Sequence, residues 1–216
     1  MLQELLNALE ESLFMICSSG LISGCLGLPL GVLLYCSHTK KLLHYPSGYL
    51  CVKTLVECTR SIPYAALSIA LIPLTHALLG SSAGTLSAII PLSLIGIPQF
   101  AHLSHQALCL VPLRLIETSQ ALGANTRQLI FKILIPESAI LLIQGFGNTL
   151  VQLISYSTIA GLLGGGGLGH LLTYKGYAPF QAEYVFSVVV ILVLLVQCVQ
   201  RGTHYIANSS TEIHEG

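Results

Sequence analysis

Three short patterns in the chain carry residue types that chemistry uses. Gly80-Ser-Ser-Ala-Gly84 fits the G-x-S-x-G spacing of a serine nucleophile elbow, which needs a strand before it and a helix after it. Apolar runs of helical length flank it on both sides, so the segment reads as a short turn between two membrane crossings rather than a hydrolase centred on Ser82. The glycines at 164–169 are dense enough to suggest a phosphate loop, but the lysine and hydroxyl of G-x-x-x-x-G-K-[ST] are missing. His102 and His105 stand three apart, and two imidazoles without a third or fourth ligand make a poor metal site. No catalytic residue, no metal and no cofactor are expected on this chain.

The most informative spacing lies in Pro112–Pro136. It reads as two short helices joined at a corner. Pro112 can open the first helix, Gly123 can end it in a left-handed cap, and Asn125 or Thr126 can cap the next. Pro136 marks entry into the following apolar run. Ala121 and Gly123 are small, so a partner can approach the backbone of the corner closely.

The elements around this corner follow from composition. Of the 216 residues 53% are hydrophobic and 8% charged, with mean hydropathy +0.78, whereas soluble domains carry about 25% charge. Nine Lys and Arg balance nine Glu, so charge favours no nucleic-acid partner. Five helical spans are expected, at 14–36, 61–79, 85–108, 138–163 and 184–202, each near the ~20 residues that cross ~30 Å of hydrocarbon. Eight of the nine basic residues, Lys40, Lys41, Lys53, Arg60, Arg114, Arg127, Lys132 and Arg201, then fall on one side and only Lys175 on the other. By the positive-inside rule the N-terminus is outside and the C-terminus cytoplasmic. The fold class is therefore an all-α membrane protein, a multi-pass bundle of five transmembrane helices.

Leu2, Leu5, Leu6, Leu9 and Leu13 repeat at helical spacing, which predicts a separate interfacial helix over 1–13, outside the membrane domain at 14–205 and a tail at 206–216. Glu4, Glu10 and Glu11, with no Lys or Arg beside them, argue against a cleavable signal. Gly20, Gly24, Gly27 and Gly31 make one smooth stripe suited to close helix packing. The seven cysteines form no C-x-x-C pair and read as small core residues. Spans with almost no ionisable groups imply a pathway of hydroxyls, backbone and apolar side chains, suited to a zwitterionic or apolar cargo.

The corner resembles the EAA loop of bacterial ABC importer permeases: Glu-Ala-Ala, three residues, Gly, nine residues, then Ile-x-Leu-Pro. Here Glu117, Thr118 and Ser119 are followed by Gly123 and by Ile133-Leu134-Ile135-Pro136, with every spacing kept. Thr118 and Ser119 replace the alanines and Ile135 replaces leucine. Gly27–Tyr35, Arg60–Pro63, Ile72–Thr75, Gly161–Gly169 and Tyr174–Tyr177 look like the methionine importer permease family.

That resemblance implies a coupling helix carrying Glu117, Thr118, Ser119, Ala121, Gly123 and Pro136, seated on a cytoplasmic ATP-binding cassette ATPase. It also implies two ATPase copies that use the ATP, a second copy of this chain, an extracytoplasmic substrate-binding lipoprotein, and the lipid of a bacterial inner membrane. Tyr156, Ser157 and Ile159 are pathway or gate candidates on the same ground. Alternatives are an osmoprotectant or other amino-acid permease and, from another class, an ion-coupled carrier.

Overall fold

The computed structural model describes residues 1–38, 46–81, 83–177 and 181–212, all of its regular structure being helical. Lys40, Lys41, Ser82 and the last four residues of the expected tail lie outside the described residues. Helix α1 is Leu2–His38, α2 Pro46–Ser61, α3 Tyr64–Ala70, α4 Ile72–Leu79 and α5 Thr85–Cys109. After the corner helices α6 (Leu113–Ala121) and α7 (Thr126–Leu129), a wider π turn at Ile130–Leu134 leads through α8 (Ile135–Glu137) into α9 (Ala139–Ala160). A glycine-rich turn, α10 (Gly167–Leu171) and a second π segment (Leu172–Tyr177) precede α11 (Ala182–Glu212).

Four stretches among the described residues are long and apolar enough to cross a membrane: Leu2–Ser37, Thr85–Cys109, Ala139–Gly165 and Ala182–Ala207. The crossing expected at 61–79 is divided into α3 and α4. Pro73 sits in the first turn of α4 and has no N–H to offer the carbonyl of Ile69, so the ladder is interrupted at Leu71. The expected loop at 40–60 contains α2, an amphipathic helix whose Val56 is buried while Leu50 and Leu55 are exposed.

The expected helix over 1–13 is the first part of α1, which is unbroken for 37 residues, about 55 Å at 1.5 Å per residue. Its first apolar stripe has protein to cover it. Leu5 and Ala8 pack with Leu168, Leu171 and Val188, so the segment continues as part of the bundle. At the other terminus α11 runs to Glu212, making the expected tail helical through that residue.

The centre of the bundle is α1 packed along α5, with α9 against both and α11 on the far side of α9. Glycine sets the α1 spacing. At Gly20 and Gly24 a Cβ would stand 2.6 Å from Leu150 Cδ2 and 3.1 Å from the Phe146 ring, both on α9. At Gly27 and Gly31 it would stand 2.9 Å from the Ile97 carbonyl and 2.7 Å from the Ala101 carbonyl, both on α5. Buried hydroxyls turn onto their own helices: Ser19 donates to Met15 O at 2.6 Å, Ser23 to Ser19 O at 2.7 Å and Thr149 to Gly145 O at 2.9 Å.

Gly31→Val pushes a side chain into backbone of α5 and is expected to destabilise by about 1–3 kcal/mol, the cost of overpacking a close contact. Gly202→Ala, where a Cβ meets nothing within 4 Å, is the control. Thermal unfolding of the purified protein in detergent should show a lower midpoint for the first and none for the second.

Candidate functional site: an exposed elbow and a clasped glycine turn

The elbow between α5 and α9 is a capped corner with a buried base. Gly123 has φ +84°, its N–H donates to Gln120 O at 3.0 Å, and the Ala124 N–H donates to Ser119 O at 3.0 Å. That pair of bonds is a Schellman cap, which closes α6 and reverses the chain. Asn125 then opens α7, its own N–H donating to Gln128 Oε1 at 3.0 Å in a capping-box arrangement. Pro136 lacks the N–H that would reach Lys132, and the wider turn at Ile130–Leu134 absorbs the missing bond before α9 begins.

Ile116 and Leu129, each 1% exposed, anchor the corner in a cluster with Tyr35, Cys36, Leu108 and Leu134. The tip is bare, with Leu122 84% exposed and Leu113 64%. Glu117, Thr118 and Ala121 are also exposed. Thr118 Oγ1 donates to Arg114 O at 2.8 Å and Ser119 Oγ to Leu115 O at 2.6 Å. Both hydroxyl protons are thereby used within α6, so these residues offer a neighbour their small size more than a free donor.

The opposite end of the bundle holds a second backbone irregularity, which the sequence reading left without partners. Glu11 Oε2 accepts from the Gly167 N–H at 2.7 Å, and Ser12 Oγ accepts from the Leu168 N–H at 2.8 Å. Gly166 and Gly167 have φ +83° and +70°, conformations that L side chains rarely adopt. The Gly84 N–H donates to Gly164 O at 2.9 Å, tying in the turn before α5. Glu4 pairs with Lys175 at 3.2 Å and accepts from the Tyr184 hydroxyl at 2.7 Å. Glu4 and Glu11, seven residues apart on the first helix, were the signal for this clasp, and they do not name a partner 156 residues away.

The expected gate residues Tyr156, Ser157 and Ile159 lie close together near the end of α9. Tyr156 stacks on Tyr64 with ring centroids 4.8 Å apart, and Ile159 packs beside it against the core of Met15, Leu92 and Leu153. Ser157 is buried and donates to Ile154 O at 2.8 Å. His102 and His105 face a cavity with Lys53 and Glu57, and no group of three potential metal ligands exists among the described residues. Glu57 pairs with Lys53 at 3.8 Å, while Arg60 Nε donates to Gln99 Oε1 at 2.9 Å, so Glu57 and Arg60 are not each other's partners.

The family described as binding-protein-dependent transport system inner membrane component matches residues 27–209, a stretch that includes the whole elbow. The chain belongs to that family. Among curated members of this transport family, "Probable D-methionine transport system permease protein MetI" of Vibrio cholerae is 37% identical over 196 residues, 91% of this chain and 87% of that protein. The D-methionine transport system permease protein MetI of Escherichia coli K12 is 36% identical over 157 residues, 73% of this chain and 72% of that protein. Among solved structures, the MetNI methionine ABC transporter in an inward-facing conformation matches with TM-score 0.95 and 35% identity, over 97% of each chain. An amino acid ABC transporter with histidines shares the fold at TM-score 0.78 and 15% identity, over 96% of this chain and 94% of that one. As an inner membrane transport component with four apolar helices of spanning length, the chain is a multi-pass membrane protein.

Glu11→Ala in this transport component removes the charge-assisted bond that the Glu11 carboxylate accepts from the Gly167 backbone N–H. The expected cost is about 1–2 kcal/mol. Hydrogen exchange should report it as faster exchange at Gly167 and Leu168 with protection retained in α5.

Proposed function

We propose that this chain is the membrane permease of an ATP-driven importer of methionine, driven through its elbow by a separate ATPase. The observation that carries the reading is the elbow itself: a rigidly capped corner, anchored by Ile116 and Leu129, whose apolar tip at Leu122 stands in the open. Such a projection is suited to fill a groove on another subunit. The MetI permeases and the MetNI transporter, similar along most of the chain, support methionine as the cargo.

In this reading the chain crosses the membrane five times, α3 and α4 together making the second crossing. The charge-free stretch from Ser61 to Leu113 supports two crossings in that interval. The basic residues gathered near the elbow, Arg114, Arg127 and Lys132, with Arg201 at the same end of α11, support a cytoplasmic elbow and an external N-terminus. The working unit is two copies of this chain with two cytoplasmic ATPases and an external substrate-binding lipoprotein, embedded in the inner-membrane lipid. ATP is bound and hydrolysed by the ATPase and not by this chain.

The coupling contact is formed by Glu117, Thr118, Ser119, Ala121 and Gly123, with Pro136 setting the angle at which the corner joins α9. Closure of the ATPase pair draws the two elbows together, and each bundle follows because the base of the corner is packed into it. Alternating access then exposes the cargo first to the outside and then to the cytoplasm, a shift between two states that ATP binding biases. Tyr156 and Ile159 are placed to transmit that motion between α9 and the α3 pair, Tyr156 through its stack on Tyr64.

Labelled methionine should accumulate in cells only when this chain and its ATPase are both present, and the purified chain alone should hydrolyse no ATP. Leu122→Cys should crosslink to the ATPase, and Gly123→Trp should abolish uptake while the protein still inserts. Wild-type uptake by Gly123→Trp, or uptake independent of the ATPase, would overturn the assignment.

A further inference from the structure

A small cavity lies between α3, α4, the start of α5 and the glycine turn after α9. Its volume is about 30 Å³, and Tyr64, Ser68, Thr75, Ser87, Ala88 and Gly165 are in its lining. Its polar residues are enclosed, with Tyr64 4%, Thr75 4% and Ser87 6% exposed. The larger polar cavity between α9 and α11 is of another kind, since Asn148, Gln197 and Arg201 in its lining are exposed.

Tyr64 brings an unspent polar group to this space. Its hydroxyl is buried and has no hydrogen-bond partner among the described residues, a condition that native interiors rarely leave uncorrected. The ring is not free to swing toward one. It is stacked on Tyr156 with centroids 4.8 Å apart and sits in the core with Leu67, Leu92 and Leu153. The neighbouring hydroxyls have already committed their protons: Ser68 donates to Ala65 O at 3.0 Å, Thr75 to Ile72 O at 2.9 Å and Ser87 to Gly84 O at 2.6 Å. What these three oxygens have left to offer is the capacity to accept.

That inventory selects the occupant. One hydroxyl with a proton to give is set among oxygens that can only accept, and no charged side chain lines the cavity. An anion would find a single donor, and a cation would find no charge to neutralise it. Water is neutral, gives two protons and takes others; it needs about 10–15 Å³ of such space and roughly two to four polar partners. We infer that this cavity is a site for an ordered water, which accepts the Tyr64 O–H and has the hydroxyl oxygens of Ser68, Thr75 and Ser87 as its acceptors. The water is a polar joint across the divided segment: Tyr64 precedes the break at Leu71, Thr75 follows it, and Ser87 stands in the first turn of α5. This site is independent of the cargo and of the ATPase.

The test uses the full chain purified in detergent. Hydroxyl radicals generated from bound water by X-rays oxidise the side chains beside it. Tyr64 should therefore be oxidised several-fold faster than Tyr35, which is equally buried, at 4% exposure, in the cluster beneath the elbow. Tyr64→Phe should lower the thermal midpoint by about 2–4 °C, because the water loses the one group with a proton to give it. A dry cavity predicts the opposite sign, since the variant would then lose an unpaired hydroxyl. Combining Tyr64→Phe with Thr75→Val should cost less than the two changes separately, because the hydroxyls share a water and do not bond each other. Equal oxidation of Tyr64 and Tyr35, an unchanged or raised midpoint for Tyr64→Phe, or strict additivity of the pair overturns the inference. So does a midpoint of the unaltered protein that rises with sodium chloride and not with choline chloride, since the occupant would then be a cation.

Discussion

A chain that spends most of its length in hydrocarbon has no solvent to rescue an unpaired polar group. That constraint orders almost everything in this structure. Backbone groups are spent inside helices, and buried hydroxyls such as Ser19, Ser23 and Thr149 are spent on carbonyls one turn back in the same helix. With little hydrophobic drive between helices in lipid, close fit has to hold them together. The glycines of α1 supply it by letting carbonyls of α5 come within contact of the α1 backbone.

Two departures of the backbone from its helical path lie at the ends of the bundle, and each is secured. The elbow satisfies itself through its Schellman cap and the Asn125–Gln128 pair, and its outer face is left exposed. The glycine turn at 164–168 cannot satisfy itself, and borrows Glu11 and Ser12 from α1. One end is thus built to be autonomous and projecting, the other to be held from within.

Much of this was legible in the sequence. The bounds of α5 and α9 follow from apolar runs ended by Gly84, Pro112, Pro136 and the glycine run, and the shape of the elbow follows from Pro112, Gly123 and Asn125. The break at Leu71 and the helix at 46–61 were not read, because a proline two residues past a break looks the same as a proline that only bends a span. The continuity of α1 was missed because its amphipathic start suits an interface as well as it suits α10 and α11, and only tertiary packing decides. The polar cavity between α9 and α11 was missed for a different reason. Gln144 and Asn148 are isolated polar letters in an apolar run, and Gln197 and Arg201 lie about fifty residues further on; nothing but the fold sets them opposite each other.

The Glu11–Gly167 bond also constrains how the protein is made. Its partners are 156 residues apart, and the first is synthesised long before the second exists. At about 5–20 residues per second the carboxylate waits on the order of 8–30 s for its donor. During that interval α1 must stay docked at the membrane without the turn that finally fixes its end. Biogenesis therefore closes on the first helix last, and a chain truncated before α10 would leave a long apolar helix whose acidic end has nothing to grip, a ready target for quality control.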